Sequence, residues 1–268
     1  MSGIRIDDVS MIYTLPDGGS VKALDRVALD IPEGQMVAIL GPSGCGKTTL
    51  LNIVAGFLKP TAGAVVAGGR TVTGPDADRG MVFQQGALFE WMSVAENVGF
   101  GPRMAGRPRR EIAALVADLL GRVGLAGFAD TPVYRLSGGM QQRVALARCL
   151  ANDPGVILMD EPLGALDALT REKMQGLVLR LWKETGKTIV LITHSVEEAL
   201  FLGERLIVMA PRPGRVVRDM ALPFAEMALV EQARSVKASA EFVRVREEVL
   251  SMIWSMEEEI MGGAHDGA

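Results

Sequence analysis

Gly41-Pro42-Ser43-Gly44-Cys45-Gly46-Lys47-Thr48 fits G-x-x-x-x-G-K-[ST], directly after the apolar run Val37-Ala38-Ile39-Leu40 and before a helical spacing. These residue types suit the holding of phosphate. Glycines let backbone N–H groups fold around phosphate oxygens, and the helix that follows adds its positive end. Lys47 then reaches the β- and γ-phosphates, and the Thr48 hydroxyl can ligate Mg²⁺. With Gly near ~7% of residues, the pattern arises by chance in roughly one chain of this length per hundred. The strand–helix setting lowers that further. The competing reading is a glycine turn that binds nothing.

Two further segments carry matching chemistry. Val156-Ile157-Leu158-Met159 ends in Asp160 and Glu161. A buried strand puts Asp160 at its C-terminal edge, where open α/β sheets bind ligands. There Asp160 can hold Mg²⁺ through water, and Glu161 can orient or deprotonate an attacking water. Alone, such a pair also reads as an N-cap or a surface pair. His194, one of 2 histidines, ends the strand-like TIVLIT. The same edge argument places it beside the γ-phosphate, against the reading of a structural histidine; His265, in the polar stretch GGAHDGA, reads as solvated. Leu136-Ser137-Gly138-Gly139-Met140-Gln141-Gln142-Arg143 opens a helix that Pro154 stops. Serine and two glycines at a helix start make a second anion site, from a hydroxyl, a close backbone and the helix dipole. Two γ-phosphate-type sites in one chain suggest that the second serves the nucleotide of another chain.

The elements that must position these residues alternate. IRIDDVSMIYTL, PDGG and VKALDRVALDI read as an antiparallel hairpin, and AGAVVAGGRTV as a second one. Lys47 to Phe57 has helical apolar spacing at Leu50, Leu51, Val54 and Phe57, with Pro60 as the stop. From about Gln85 to Leu150 the pattern is helical. Strands return at GVILMDEP and TIVLITH, with a helix from Ala168 to Thr185 between them. A strand–phosphate loop–helix unit with later buried strands implies a parallel α/β core. The expected fold class is α/β: a P-loop NTPase core with an N-terminal antiparallel β-subdomain and an inserted helical subdomain. Residues 1–84 and 155–215 form the core in this reading, and 85–154 the insertion. Residues 216–268 form a C-terminal extension with one helix from about Ala240 to Glu259, where Phe242, Val245, Val249 and Ile253 recur three or four apart.

Composition limits the alternatives. The chain has 268 residues, enough for one large domain or two small ones. With Gly counted and Tyr left out, about 60% is apolar, above the usual ~45–50%, so disorder is excluded. The longest apolar runs fall far short of the ~18 residues of a spanning helix. The net charge of −4, from 28 basic and 32 acidic residues mixed along the chain, leaves no footprint for nucleic acid. Cys45 and Cys149 make no disulfide framework, and the start MSGIRIDDVS lacks a signal-peptide core, so a cytosolic protein is expected. The apolar excess belongs either to the core or to a docking surface.

The phosphate loop, LSGGMQQR, VILMDEP and TH, in this order, resemble the ATP-binding subunit of ABC transporters over residues 4 to 215. The resemblance implies ATP and Mg²⁺ as ligands, a RecA-like core, and a homodimer of head-to-tail chains that sandwiches two ATP molecules. Tyr13 is then placed to stack on adenine, where a strand aromatic would otherwise pack in the core. Gly41 through Thr49 bind the phosphates, Thr49 included. Ser137, Gly138, Gly139 and Gln141 contact the partner chain's ATP. Gln84, in MVFQQ, is the glutamine that senses Mg²⁺ and the membrane partner, beside Glu161 and His194 in catalysis. Asp167, in Gly164-Ala165-Leu166-Asp167, crosses the dimer interface.

GALFEWMSVAENVGFG and the R-P-G-R turn at Arg212 to Arg215 resemble the nitrate/sulfonate/taurine importer group, and SVKASAEFVRVREEVLSMI looks most like its taurine-type members. Departures from that group's pattern are Glu90 for proline, Met140 for glutamine and Ser195 for aspartate. The resemblance implies two integral-membrane permease subunits that dock near Gln84 to Ser93, with Leu88, Phe89, Trp91 and Met92 as an exposed apolar patch. It also implies an extracytoplasmic solute-binding protein, a peripheral place on the cytoplasmic face of the inner membrane, and a small anion as cargo. The rival readings are a soluble ABC ATPase with a non-transport partner, a nucleotide-gated scaffold, and an importer for an unrelated solute.

Overall fold

The computed structural model describes residues 3–84 and 87–262. His265, Gln85 and Gly86 lie outside them. In chain order the elements are β1 (Ile4–Thr14), β2 (Ser20–Ile31), β3 (Met36–Leu40), α1 (Lys47–Ala55), β4 (Ala62–Ala67), β5 (Arg70–Thr71) and β6 (Arg79–Val82). Four helices follow: α2 (Val94–Val98), α3 (Phe100–Met104), α4 (Arg109–Arg122) and α5 (Gly138–Leu150). The chain then returns to the sheet through β7 (Val156–Asp160), α6 (Ala168–Thr185), β8 (Thr188–Thr193), α7 (Val196–Leu202), β9 (Arg205–Ala210) and β10 (Arg215–Ala221). It ends in α8 (Phe224–Val230), α9 (Ala233–Ala238) and α10 (Ala240–Gly262).

Two sheets result. One is antiparallel in the order β2-β1-β4-β5, built from the two expected hairpins. The other has the order β10-β9-β3-β8-β7-β6; its five strands from β9 to β6 run parallel, and β10 is antiparallel at the edge. Parallel strands aligned in register bring their C-terminal ends to one edge: Leu40 pairs with Thr193, Asp160 with Ile192, and Val82 with Met159. That edge carries every loop singled out for chemistry in the core.

The parallel strands are apolar on both faces because both are covered. Val37, Ile39, Leu158, Val190 and Ile192 meet α1 and the antiparallel sheet in one core layer. Met36, Ala38, Leu40, Ile157, Met159, Ile189 and Leu191 meet the helices in the other. The residues of α2, α4 and α5 join this second layer without a break. Most of the apolar excess is therefore interior.

Two expectations need correction. The helix after the phosphate loop stops at Ala55, because Gly56 turns left-handed at φ 86° and its N–H bonds back to Asn52 and Ile53. Phe57 is thus beyond the helix, half exposed and stacked on Phe83. Beyond Pro213 the chain carries more than one helix: β10 extends the core sheet to Ala221, and α8, α9 and α10 follow. In α10, Phe242, Val245 and Val249 are buried as the spacing predicts, and Phe242 meets Phe224 edge-on at 4.9 Å.

Candidate nucleotide-binding site

The phosphate loop leaves β3 and enters α1 through Gly44 and Gly46, at φ 77° and 89°. No side chain caps α1, so its first N–H groups face outward, as anion binding requires. Space also demands glycine here. A Cβ on Gly46 would stand 2.6 Å from Leu24 Cδ2, and one on Gly41 would stand 2.4 Å from the Met209 carbonyl. Lys47 is buried, and its ammonium donates to the carbonyls of Gly41 at 2.7 Å and Pro42 at 3.1 Å. These carbonyls hold the ammonium over the loop. Ser43 and Gly44 are exposed at its rim, and buried Cys45 has its thiol pushed up by burial.

The R-P-G-R turn, read above only as a group marker, has a structural task. The carbonyl of Gly214 accepts from Asp25 N–H, and a Cβ there would lie 2.4 Å from the Cys45 carbonyl. It is a floor under the loop. Tyr13, on β1 and half exposed, brings its hydroxyl to 3.4 Å from Thr49 Oγ1, beside the start of α1.

Asp160, Glu161, Gln84 and His194 come from the ends of β7, β6 and β8. Glu161 Oε2 is 3.0 Å from His194 Nδ1 and accepts from Gln84 Nε2 at 3.3 Å. The backbone of Glu161 is left-handed at φ 43°, a conformation unfavourable for a side-chain-bearing residue; its N–H donates to the Ile192 carbonyl at 3.0 Å. This local cost turns the carboxylate toward the glutamine and the histidine. Asp160 has its carboxyl pushed up by burial and by the Glu161 charge, and drawn down by Lys47. The phosphate lysine and the strand-end aspartate thus feel each other. The hydroxyl of Thr48, the carboxylate of Asp160 and the amide oxygen of Gln84 are hard donors of the kind Mg²⁺ takes. Among the described residues no group of three or more His, Cys, Asp or Glu could hold a metal.

The second candidate anion site lies on α5, at a different place in the fold. Ser137 is its N-cap and accepts from Met140 N–H at 3.4 Å. Gly138 is exposed, and Gly139 is a close approach: a Cβ would stand 2.4 Å from Thr170 Cγ2 at the start of α6. Gln141 turns its amide inward, donating to the carbonyls of Val133 at 3.2 Å and Leu136 at 3.4 Å. Asp167 caps α6 through Thr170 N–H at 3.1 Å, and the hydrogen bonds from Thr170 hold its carboxyl low.

Residues that sequence reasoning left aside tie these parts together. Gln142 is buried and donates to the Phe83 carbonyl, and Arg148 donates to the Ala87 carbonyl at 2.9 Å. Two side chains of α5 thus grip both flanks of the loop that carries Gln84. The buried amide of Gln142, on a helix face otherwise apolar, was the available signal. A cleft of about 570 Å³ opens beside this loop, lined by Gln84, Leu88, Glu90, Gln141, Gln142 and Leu166, among others.

The expected apolar patch is smaller than its sequence suggests. Trp91 is 79% exposed, but Leu88, Phe89 and Met92 are half-buried. Fully buried Asn97 accounts for the fold-back: its side chain pairs with both the N–H and the C=O of Phe89, at 2.9 and 3.1 Å. Phe89 then packs on Phe100 at 4.6 Å and under the Arg148 guanidinium at 5.5 Å.

A family model described as ABC transporter matches residues 24–164. The taurine import ATP-binding protein TauB of Roseobacter denitrificans is 66% identical over the whole of both chains. That of Ruegeria pomeroyi is 66% identical over 98% of each. Among solved structures, the dimeric ATP-binding cassette MJ0796, in a post-hydrolysis state bound to ADP and Pi, matches with a TM-score of 0.72 and 38% identity. It covers 82% of this chain, and the match spans 98% of that one. On these likenesses the chain belongs to the ABC transporter family as an ATP-binding subunit.

Proposed function

We propose that the chain is the ATP-hydrolysing subunit of a taurine importer, acting as a head-to-tail homodimer under two permease subunits supplied by an extracytoplasmic binding protein. Its place is then peripheral, on the cytoplasmic face of the inner membrane. Among the described residues no helix is long and apolar enough to cross a membrane. The observation that carries the reading is the meeting of Gln84, Glu161 and His194 at one strand edge, next to an aspartate that feels Lys47. The full-length likeness to proteins named for taurine import supplies the cargo.

In this reading Lys47 and the N–H groups of the Gly41 to Thr49 loop bind the phosphates, and Tyr13 stacks on adenine. Ser137, Gly138 and Gly139 of the partner chain close over the γ-phosphate. Gln141 acts through the turn at Val133 and Leu136 that it braces, and Asp167 crosses to the partner. Thr48, Gln84 and, through water, Asp160 would hold Mg²⁺, which when bound offsets phosphate charge. Glu161 takes a proton from the attacking water, His194 steadies that carboxylate and the phosphate, and ATP and water become ADP and phosphate. ATP favours the closed dimer because only that form lets both chains touch it; cleavage removes the bridge. Gln84 couples this to the permease, because α5 grips its loop on both sides. The segment from Gln84 to Ser93 is the docking site, with Trp91 as its exposed anchor and Glu90 at its rim.

The test is uptake by vesicles that hold the chain with its permease subunits and binding protein. ATP-dependent accumulation of taurine is expected, and co-purification with the permease should weaken on Trp91→Ala. Accumulation of another solute with none of taurine would refute the cargo.

A further inference from the structure

An unbroken run of contacts joins the exposed ring of the docking segment to the helix of the signature serine. Trp91, 79% exposed, meets Phe89 at 5.4 Å between ring centroids. Phe89 in turn lies 5.5 Å under the Arg148 guanidinium. Arg148 belongs to the last turn of α5, whose N-cap is Ser137. Along that helix the two residues stand about 16 Å apart, at ~1.5 Å per residue.

Packing alone does not call for arginine at this place. Arg148 is half-buried, and burial draws the pKa of its guanidinium below the usual value, so its surroundings disfavour the charge. An apolar side chain would fill the space at less cost. What the guanidinium adds is a flat fork: it donates to the Ala87 carbonyl at 2.9 Å while it lies over the Phe89 ring. Phe89 is held to this place, because Asn97 of α2 pairs with both its N–H and its C=O, and α2 packs against α5.

The flank next to the reaction has a tether of its own. Gln142 donates to the Phe83 carbonyl at 3.3 Å, one residue before Gln84. The Arg148 bond comes three residues after Gln84, on the docking side. One side chain of α5 thus steadies the glutamine, and the other holds the docking segment.

We propose that Arg148 is a positioning residue that relays permease docking to the signature. A permease subunit seated on Trp91 shifts Phe89, Arg148 and α5 together, and so sets Ser137 against the ATP of the partner chain. This rests on the reading of Gln84 to Ser93 as the docking site and of Ser137 as a contact to that ATP.

The experiment compares ATP turnover by the chain alone with turnover by the complete importer in vesicles, with and without taurine-loaded binding protein. Arg148→Met keeps the length of the side chain and removes the fork; Arg148→Lys keeps the charge but not the flat guanidinium. In the chain alone, kcat and KM of both should stay within about two-fold of the unaltered protein. In the importer, the rise in turnover on adding loaded binding protein should shrink about five-fold or more for Arg148→Met, and about two-fold or more for Arg148→Lys. Both should still co-purify with the permease, where Trp91→Ala should not do so fully. A merely structural role would lower the turnover of the chain alone as well, and that result would overturn the relay. So would loss of co-purification, which would make Arg148 part of the docking surface itself. Stimulation of Arg148→Met within about two-fold of the unaltered importer would also overturn it, and should that variant fail to fold, Arg148→Lys decides by the same criterion. An unaltered importer that loaded binding protein does not stimulate would instead refute the docking reading, and the relay with it.

Discussion

Replacing Glu198 by glutamine should make the protein's stability less sensitive to pH, by an amount its surroundings set. Burial pushes this carboxyl from 4.5 up to about 7, against the pull of Arg171 and the Thr193 hydrogen bond. The folded chain therefore holds the proton more tightly than the unfolded one. No loss arises below about pH 4.5, where both forms are protonated; stability falls as pH rises toward 7 and stays lower above it. At about 1.4 kcal/mol per pH unit, the full loss is about 3 kcal/mol. An unfolding entropy of about 2.1 cal/mol/K per residue turns this into a Tm change of about 5 °C for a chain of this length. Glutamine has no charge to bury. The Tm of Glu198→Gln minus that of the unaltered chain, followed by circular dichroism, should grow by about 5 °C from pH 5 to pH 8. Titrating groups remote from Glu198 are common to the two proteins and drop out of the difference. A Tm difference that stays constant with pH would refute the reasoning, because Glu198 would then carry the same charge in the folded and unfolded chains.

Two further outcomes concern the nucleotide. Glu161→Gln should bind ATP normally and lower turnover by about 10²–10⁴-fold, the usual contribution of a general base; single-turnover hydrolysis measures it, and near-normal turnover would reject Glu161 as the base. Lys47→Ala should weaken ATP binding about ten-fold or more, since a charge-assisted phosphate contact is lost; titration calorimetry reads it, and unchanged affinity would reject the assignment.

The chemistry was legible in the chain because phosphate binding constrains residue type and spacing together. Gly41, Gly46 and Lys47 leave little freedom: steric room forbids a Cβ at both glycines, and the lysine must follow at the helix start. Strands β7 and β8 were legible for a related reason, since a strand covered on both faces must be apolar throughout. β10 was not, because an edge strand reading RVVRDMA exposes most of its side chains and has no clean alternation. The end of α1 was written in Gly56, yet Phe57 continued the apolar spacing and pointed one turn too far. Contacts set by distant residues were the least legible. Nothing near Phe89 announces that Asn97 will fold it back, and nothing in the adjacent pair Glu197-Glu198 tells which of the two is buried. Only the packing of α6, α8 and α10 around α7 shows that Glu198 is inside while Glu197 remains at the surface.

The central claim is a site shared between two chains, completed by Ser137 of one and Lys47 of the other. ATP turnover per chain, measured against the concentration of the purified protein, tests it most directly. The account predicts a rate per chain that rises with concentration, and its loss in Ser137→Ala across the whole range. Full turnover by Ser137→Ala, with no dependence on concentration in either protein, would mean a site complete within one chain and would contradict the account.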